Sequence, residues 1–326
     1  MNSYLKTIIS DSFVFRIVVF ISLLVFLDVT FGKILKYFYF KQQTGSMSIT
    51  TYAIDQVNTD ILIFGPSRAN HHYIPDIFSD RLHLSCYNVG RDGNSIFYHY
   101  GVLQCVLKRY IPKIIILDIS FYEFQKLPNT YDRISSLLPY YEDHQEIRPI
   151  VALKSPFEKV KILSSLYPYN SLMLRIGGGI LENSKKLHDT ENVNRYIPQN
   201  IKGYIPLYKV WDEPLEIDTT MYQYQADGNM FGYYEKFIAA CQRAKVKLYV
   251  VCSPYFIKFP KTDYSILLGS KIAKKYNAQF FNFSQDTLYL MNRSLFYDPM
   301  HLNDKGARVF TNSIIDLIIK QEQSQK

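Results

Sequence analysis

Residues 113–119 read KIIILDI, with no polar side chain between Lys113 and Asp118. A strand at the edge of water alternates polar and apolar residues. A continuous apolar run is instead buried on both faces, and so needs helices above and below the sheet. Four further short runs share this character: Ile61 to Phe64, Leu84 to Val89, Lys247 to Cys252 and Ala278 to Phe283. Helical spacing separates them, over Ile74 to Ser79, Phe97 to Arg109, Phe231 to Ala244 and Tyr264 to Tyr276, with a last helix from Asp304 to Lys320. Strand and helix in alternation predict an α/β fold, a flavodoxin-like doubly wound parallel sheet of about five strands whose ligand crevice lies beyond the carboxyl ends of the strands.

Two segments stand outside this rhythm. Residues 12–31 (SFVFRIVVFISLLVFLDVTF) are the candidate for a membrane span, followed by no small-residue cleavage site, which favours a retained anchor over a removed signal peptide. The uncharged stretch from Ile17 to Leu27 is about half of the ~20 residues a span needs, so Arg16 and Asp28 are expected at the interfaces. A buried or amphipathic N-terminal helix is the alternative, and Lys6, Arg16, Lys33, Lys36 and Lys41 flank both ends, leaving orientation open. Residues 124–228 carry eight prolines, the triplet Gly177–Gly179 and many tyrosines. They are expected to form a helical insertion or cap over the crevice. The predicted organisation is thus a membrane anchor at 1–40, a polar linker at 41–59, and an α/β domain at 60–322 interrupted by the 124–228 insertion.

Composition excludes more than it identifies. The net charge of +8 is scattered over the 326-residue chain, with no Lys/Arg block or nucleic-acid motif, so no DNA or RNA partner is expected. Cys86, Cys105, Cys241 and Cys252 form no CxxC or Cys/His ligand spacing, and no metal or organic cofactor is implied.

The chemistry is concentrated at two places. After the first strand comes Gly65-Pro66-Ser67, which puts a hydroxyl at the carboxyl edge of the sheet beside the N–H groups of a helix start, a setting that favours an oxyanion. A serine there is also an ordinary helix N-cap. After the last strand, Asp298-Pro-Met-His301 supplies a carboxylate and an imidazole, the partners a nucleophilic serine needs. The loop Asn88-Val-Gly90-Arg-Asp-Gly93 could bring backbone N–H groups close to a ligand. Arg68 and Arg91 are candidates for attracting an anionic substrate group, with surface solvation as the alternative. His71 and His72 point about 100° apart on a helix, which disfavours a shared metal ion and suggests a surface or cleft-wall role.

These blocks resemble the SGNH/GDSL hydrolase superfamily: Gly65-Pro-Ser67 its nucleophile block, Asn88-x-Gly90-x-x-Gly93 its second, Asp298-x-x-His301 its last. The resemblance implies Ser67 as nucleophile, His301 as general base and Asp298 as its orienting acid. It implies an oxyanion hole from the N–H groups of Ser67 and Gly93, with Gly90 as fallback. The family's oxyanion asparagine after the third strand has no counterpart in Leu117-Asp-Ile-Ser-Phe-Tyr-Glu123, where Ser120 is the substitute candidate. The anchored layout is similar to extracytoplasmic members that handle acyl esters on cell-surface polymers. It implies an acylated carbohydrate or lipid as substrate, the membrane as attachment, and a membrane acyl-donor protein as a further partner.

Overall fold

The structure, a computed structural model, describes residues 3–43, 45–127, 129–186, 202–215, 225–257 and 264–324. By its contacts the chain divides into two units, Thr44–Val151 with Val193–Lys326, and Met1–Gln43 with Ala152–Asn192.

The larger unit is built on five parallel strands, β1 (Ile61–Phe64), β2 (Cys86–Asn88), β3 (Ile114–Asp118), β4 (Lys247–Cys252) and β5 (Gln279–Asn282), in the order β2-β1-β3-β4-β5. That is the flavodoxin-like order, whose chain reversal falls between β1 and β3. Register pairs Ile63 with Asn88 on one side and with Ile116 on the other. Because side chains alternate along a strand, each central strand feeds two cores. Ile61, Ile63, Ile114, Ile116, Tyr249 and Val251 pack with Phe310, Ile314 and Ile318. These last three lie on the closing helix, Asp304–Ser324. On the other face, Phe64 meets Phe237 edge to face at 5.3 Å.

The helices of this unit are α2 (Gly45–Asp55), α3 (Ser67–His72), α4 (Pro75–Leu82), α5 (Ile96–Arg109), α6 (Arg148–Val151), α9 (Gly228–Arg243), α10 (Tyr264–Lys275) and α11 (Asp304–Ser324). Asp227 caps α9 by accepting the N–H groups of Asn229 and Met230. Two expectations change here. Residues 45–55, expected as linker, are the helix α2, which buries Met47, Thr50, Ala53 and Ile54. Their polarity on paper hides that Thr50 and Thr51 turn their hydroxyls back to the carbonyls of Ser46 and Met47, a route by which such residues enter helices.

The insertion is helical, as expected, but it is not one body. Its described part is a series of short pieces, the 3₁₀ turns Asp132–Tyr140, Gln145–Ile147 and Tyr167–Leu172 and the α-helices Arg148–Val151, Glu158–Lys161 and Met173–Lys186. Residues 129–151 belong to the larger unit and pack on α5. A Cβ at Gly101 would come 3.0 Å from Leu137, 3.2 Å from Ile150 and 3.4 Å from Ile147. Residues 152–186 belong to the smaller unit, and 187–201 and 216–224 lie outside the described residues.

The smaller unit contains α1 (Ser3–Phe40), α7 (Glu158–Lys161) and α8 (Met173–Lys186). Phe13–Phe40 within α1 is long and apolar enough to cross a membrane.

Candidate active site

Two tight local structures, 234 residues apart in sequence, meet at one hydrogen bond. The first is the turn after β1. Gly65 has φ +145°, and a Cβ there would lie 2.8 Å from the Asp118 carbonyl and 2.9 Å from Ala69 Cβ, so no larger residue fits. The chain then enters α3 with Ser67 as its first residue.

The second is the Asp298–His301 turn. One carboxylate oxygen of Asp298 accepts the N–H of Met300 (2.7 Å) and of His301 (2.9 Å). The other stands 2.8 Å from His301 Nδ1. The three-residue spacing thus folds the acid and imidazole onto each other locally, as short acidic side chains do in turns. Asn303 ends the turn as N-cap of α11, its side chain accepting the Gly306 N–H at 2.9 Å. It also donates to the carbonyls of Ser294 and Phe296. Glycine at 306 is obligatory, since a Cβ would reach 2.1 Å from the Leu295 carbonyl oxygen.

Ser67 Oγ lies 2.8 Å from His301 Nε2. Because Nδ1 faces only carboxylate oxygens, it carries the ring proton and donates to Asp298. Nε2 is then an acceptor, and the Ser67 hydroxyl donates to it. The imidazole and carboxylate are 23% and 36% exposed, so the site is open to substrate. Burial pushes the Asp298 carboxyl upward, but hydrogen bonding and charge from His301 and the Met300 and His301 N–H groups outweigh it and hold it below its usual range.

Gly93 sits in a turn closed by the Asn94 N–H on the Arg91 carbonyl (3.2 Å), with φ +69°. A positive φ at the third position of a turn is what glycine supplies. A Cβ there would meet nothing within 4 Å, so the loop borders open space. Gly90, the fallback donor, has its N–H engaged by Asn88 Oδ1 at 3.0 Å. It is a packing glycine, with Ala69 Cβ 2.7 Å from where its own Cβ would be.

The remaining candidates are placed differently from expectation. Arg68 is neither solvated nor aimed at substrate: it is buried, pairs with Asp118 at 2.9 Å, donates to the Ile119 carbonyl at 2.7 Å and lies over the Tyr255 ring. Burial works against its charge, but Tyr255 and Asp118 outweigh that and keep the guanidinium protonated. Arg91 is also buried, donates to the Ser46 carbonyl at the start of α2 and faces the Tyr98 ring. Ser120 gives its hydroxyl proton to Glu123 (2.8 Å), which removes it as an oxyanion donor. His71 and His72 are buried rather than on a surface.

His72 is the positioning residue the sequence left unassigned. Burial and the nearby Arg68 charge hold it neutral. Its Nε2 accepts the Leu302 N–H at 3.0 Å, the residue next to His301, and Nδ1 therefore donates to Ser253 Oγ at 2.9 Å. His72 thus ties the imidazole-bearing loop to α3 and to the end of β4. The only sequence signal was Ser253-Pro254 at a strand's carboxyl end. His71 donates from Nδ1 to the Ile205 carbonyl, with its ring 5.3 Å from that of His301.

Another group of donor atoms lies away from this site. Cys105, His144 and Glu146 bring theirs within 4.8 Å of one another. The imidazole already faces Asp55, the carboxylate is paired with Lys108, and burial lifts the Cys105 thiol to about 12. The imidazole and one oxygen of the carboxylate thus have partners within the fold, beside a neutral thiol.

The doubly wound parallel sheet thus carries its serine after β1 and its Asp-x-x-His turn before the closing helix, the layout that the sequence resemblance implies. No protein-family model and no curated protein matches the chain. Solved structures that resemble it remotely include a GDSL-like lipase from Bacteroides thetaiotaomicron, at 10% identity over 84% of this chain and 98% of that one with a TM-score of 0.37. A candidate acylhydrolase from Bacteroides fragilis aligns at 12% identity over 82% and 89%, with a TM-score of 0.37. The hydrolase LAE5 from the metagenome of Lake Arreo, Spain, aligns at 12% identity over 81% and 96%, with a TM-score of 0.36.

Proposed function

We propose that the chain is a membrane-anchored serine esterase or O-acyltransferase acting on acyl esters of a cell-surface glycan or lipid, its catalytic domain outside the cytoplasm. The observation that carries this is the continuous hydrogen-bond chain from Ser67 through His301 to Asp298. In this reading His301 Nε2 takes the Ser67 proton as Oγ attacks the acyl carbonyl, and Asp298 stabilises the imidazolium that forms. The tetrahedral oxyanion is held by the N–H groups of Ser67 and Gly93. His301 returns its proton to the departing alcohol, leaving an acyl-enzyme. Water then gives hydrolysis and a sugar hydroxyl gives transfer, with the same residues in the same roles. A membrane acyl-donor protein would serve the second outcome.

Replacing Ser67 with alanine tests the reading: turnover of a soluble aryl acetate is expected to vanish with the fold unchanged. Full esterase activity in Ser67→Ala would refute it. One observation favours a second reading, a membrane-tethered glycan- or lipid-binding protein that retains the fold. No asparagine stands in residues 117–123 after β3, and the Ser120 hydroxyl is engaged by Glu123. That reading predicts saturable ligand binding without turnover by the wild type.

A further inference from the structure

The exposed apolar surface of α1 is uncharged from Ile17 to Leu27, Asp28 follows that stretch directly, and single exposed apolar residues continue at Phe31, Ile34 and Tyr37. The Asp28 carboxylate is clamped by a turn of the chain far along the sequence. It accepts the Ser164 hydroxyl, the Ser165 N–H at 2.7 Å and the Leu166 N–H at 3.4 Å. One helical turn on, Gly32 permits the contact, because a Cβ there would lie 2.5 Å from the Ser165 carbonyl carbon and oxygen. Farther along, Tyr39 packs on Tyr169, and Gln42 donates to the Ile176 carbonyl. Residues 164–176 therefore run alongside α1 from the point where its uncharged stretch ends.

The turn carrying this clamp is polar inside and apolar outside. Glu158 is buried and accepts from Ser155 (2.7 Å), Lys161 (2.9 Å) and Tyr167 (2.7 Å), which fixes residues 155–167 around a charged centre. Its outward side chains are Phe157, Val160 and Leu163, exposed by 67%, 65% and 81%. Water-facing turns have the opposite arrangement, and large apolar groups grouped this way mark a surface made for another apolar phase. Exposed Lys159 on the turn and Lys33 on α1 add positive charge beside them, which suits anionic head groups.

We propose that residues 155–167 form a membrane-interface foot, with Phe157, Val160 and Leu163 seated among the lipids of an anionic bilayer at the level where α1 leaves it. The occupant is lipid because the apolar surface continues that of the span and is flanked by cations. This rests on the membrane-anchored reading of α1. The foot fixes the depth of the anchor, and it gives Asp28 its three donors at the boundary where an unpaired carboxylate would be unfavourable.

The test uses the full chain in vesicles of phosphatidylcholine and phosphatidylglycerol, with lipids brominated near the head group or near the bilayer centre. Leu163→Trp and Phe20→Trp are compared with wild type, whose single Trp211 gives the baseline. Leu163→Trp is expected to add blue-shifted emission quenched by the shallow bromines, and Phe20→Trp emission quenched by the deep ones. If Phe20→Trp is quenched while Leu163→Trp emits as in water, the foot is overturned and the anchor stands. Blue-shifted Leu163→Trp emission insensitive to bromine would mean that protein covers the surface, and also overturns it. Unquenched Phe20→Trp would show that the anchoring itself fails, and the foot with it.

Discussion

Replacing Arg68 with methionine keeps much of the side chain's volume but removes a charge buried against Asp118, whose own side chain is 0% exposed. The carboxylate would keep the Tyr73 hydroxyl as a partner and lose its counter-ion. Breaking a buried pair from one side costs about 3–5 kcal/mol, because the remaining charge is left unpaired. For a unit of this size that lowers the melting temperature by on the order of 10 °C. Thermal unfolding followed by circular dichroism measures it. Arg68→Met/Asp118→Leu should recover most of the loss, since removing both charges leaves nothing unpaired. As the ion pair holds the residue after Ser67 to the end of β3, kcat should fall in the single variant more than KM rises. An unchanged melting temperature with a raised KM would refute this and return Arg68 to substrate binding.

Acid should destabilise the protein from an unusually high pH. Burial holds His72 well below its ordinary 6.5 and His99 at about 3, so both are neutral when folded and take up a proton on unfolding below pH 6.5. Stability should therefore fall with acidification by about 1.4 kcal/mol per pH unit for each, and urea titrations at pH 7.5 and 5.5 should show a smaller difference in His99→Leu. Asp60 is held at about 2 by hydrogen bonds to Lys113 and Ser85, so the stability it contributes is full above its ordinary 3.8 and disappears towards pH 2. Asp60→Asn should accordingly weaken the fold at neutral pH and change nothing near pH 2. Asn303→Ala should cost about 0.5–2 kcal/mol as a lost helix cap and reduce activity by loosening the His301 turn, both read on one purified variant.

The strands were legible because each is a short apolar run closed by glycine, proline or a polar turn, and β1 and β4 run over the residues that the pattern indicates. The Asp298–His301 pair was legible because its geometry is local: a carboxylate that captures N–H groups two and three residues on needs no other part of the chain. The Arg68 role was hidden because its partner lies 50 residues away, and an arginine beside a candidate nucleophile looks the same in sequence whether buried or solvated. His72 was hidden for the same reason, being bonded to residues 181 and 230 positions distant. The helix α2 was masked by composition, since Ser46, Thr50 and Thr51 read as linker until the hydroxyls of Thr50 and Thr51 find the Ser46 and Met47 carbonyls and the Tyr98 and Tyr140 hydroxyls. In each case the missing information was a tertiary partner.

Labelling the purified protein with a fluorophosphonate tests the central assignment most directly, because the reagent reacts with serines activated by a neighbouring base. Wild type should label, and Ser67→Ala and His301→Ala should not, with all three folded by circular dichroism. A folded wild type that stays unlabelled, or labelling that survives in Ser67→Ala, would contradict an activated nucleophile at Ser67.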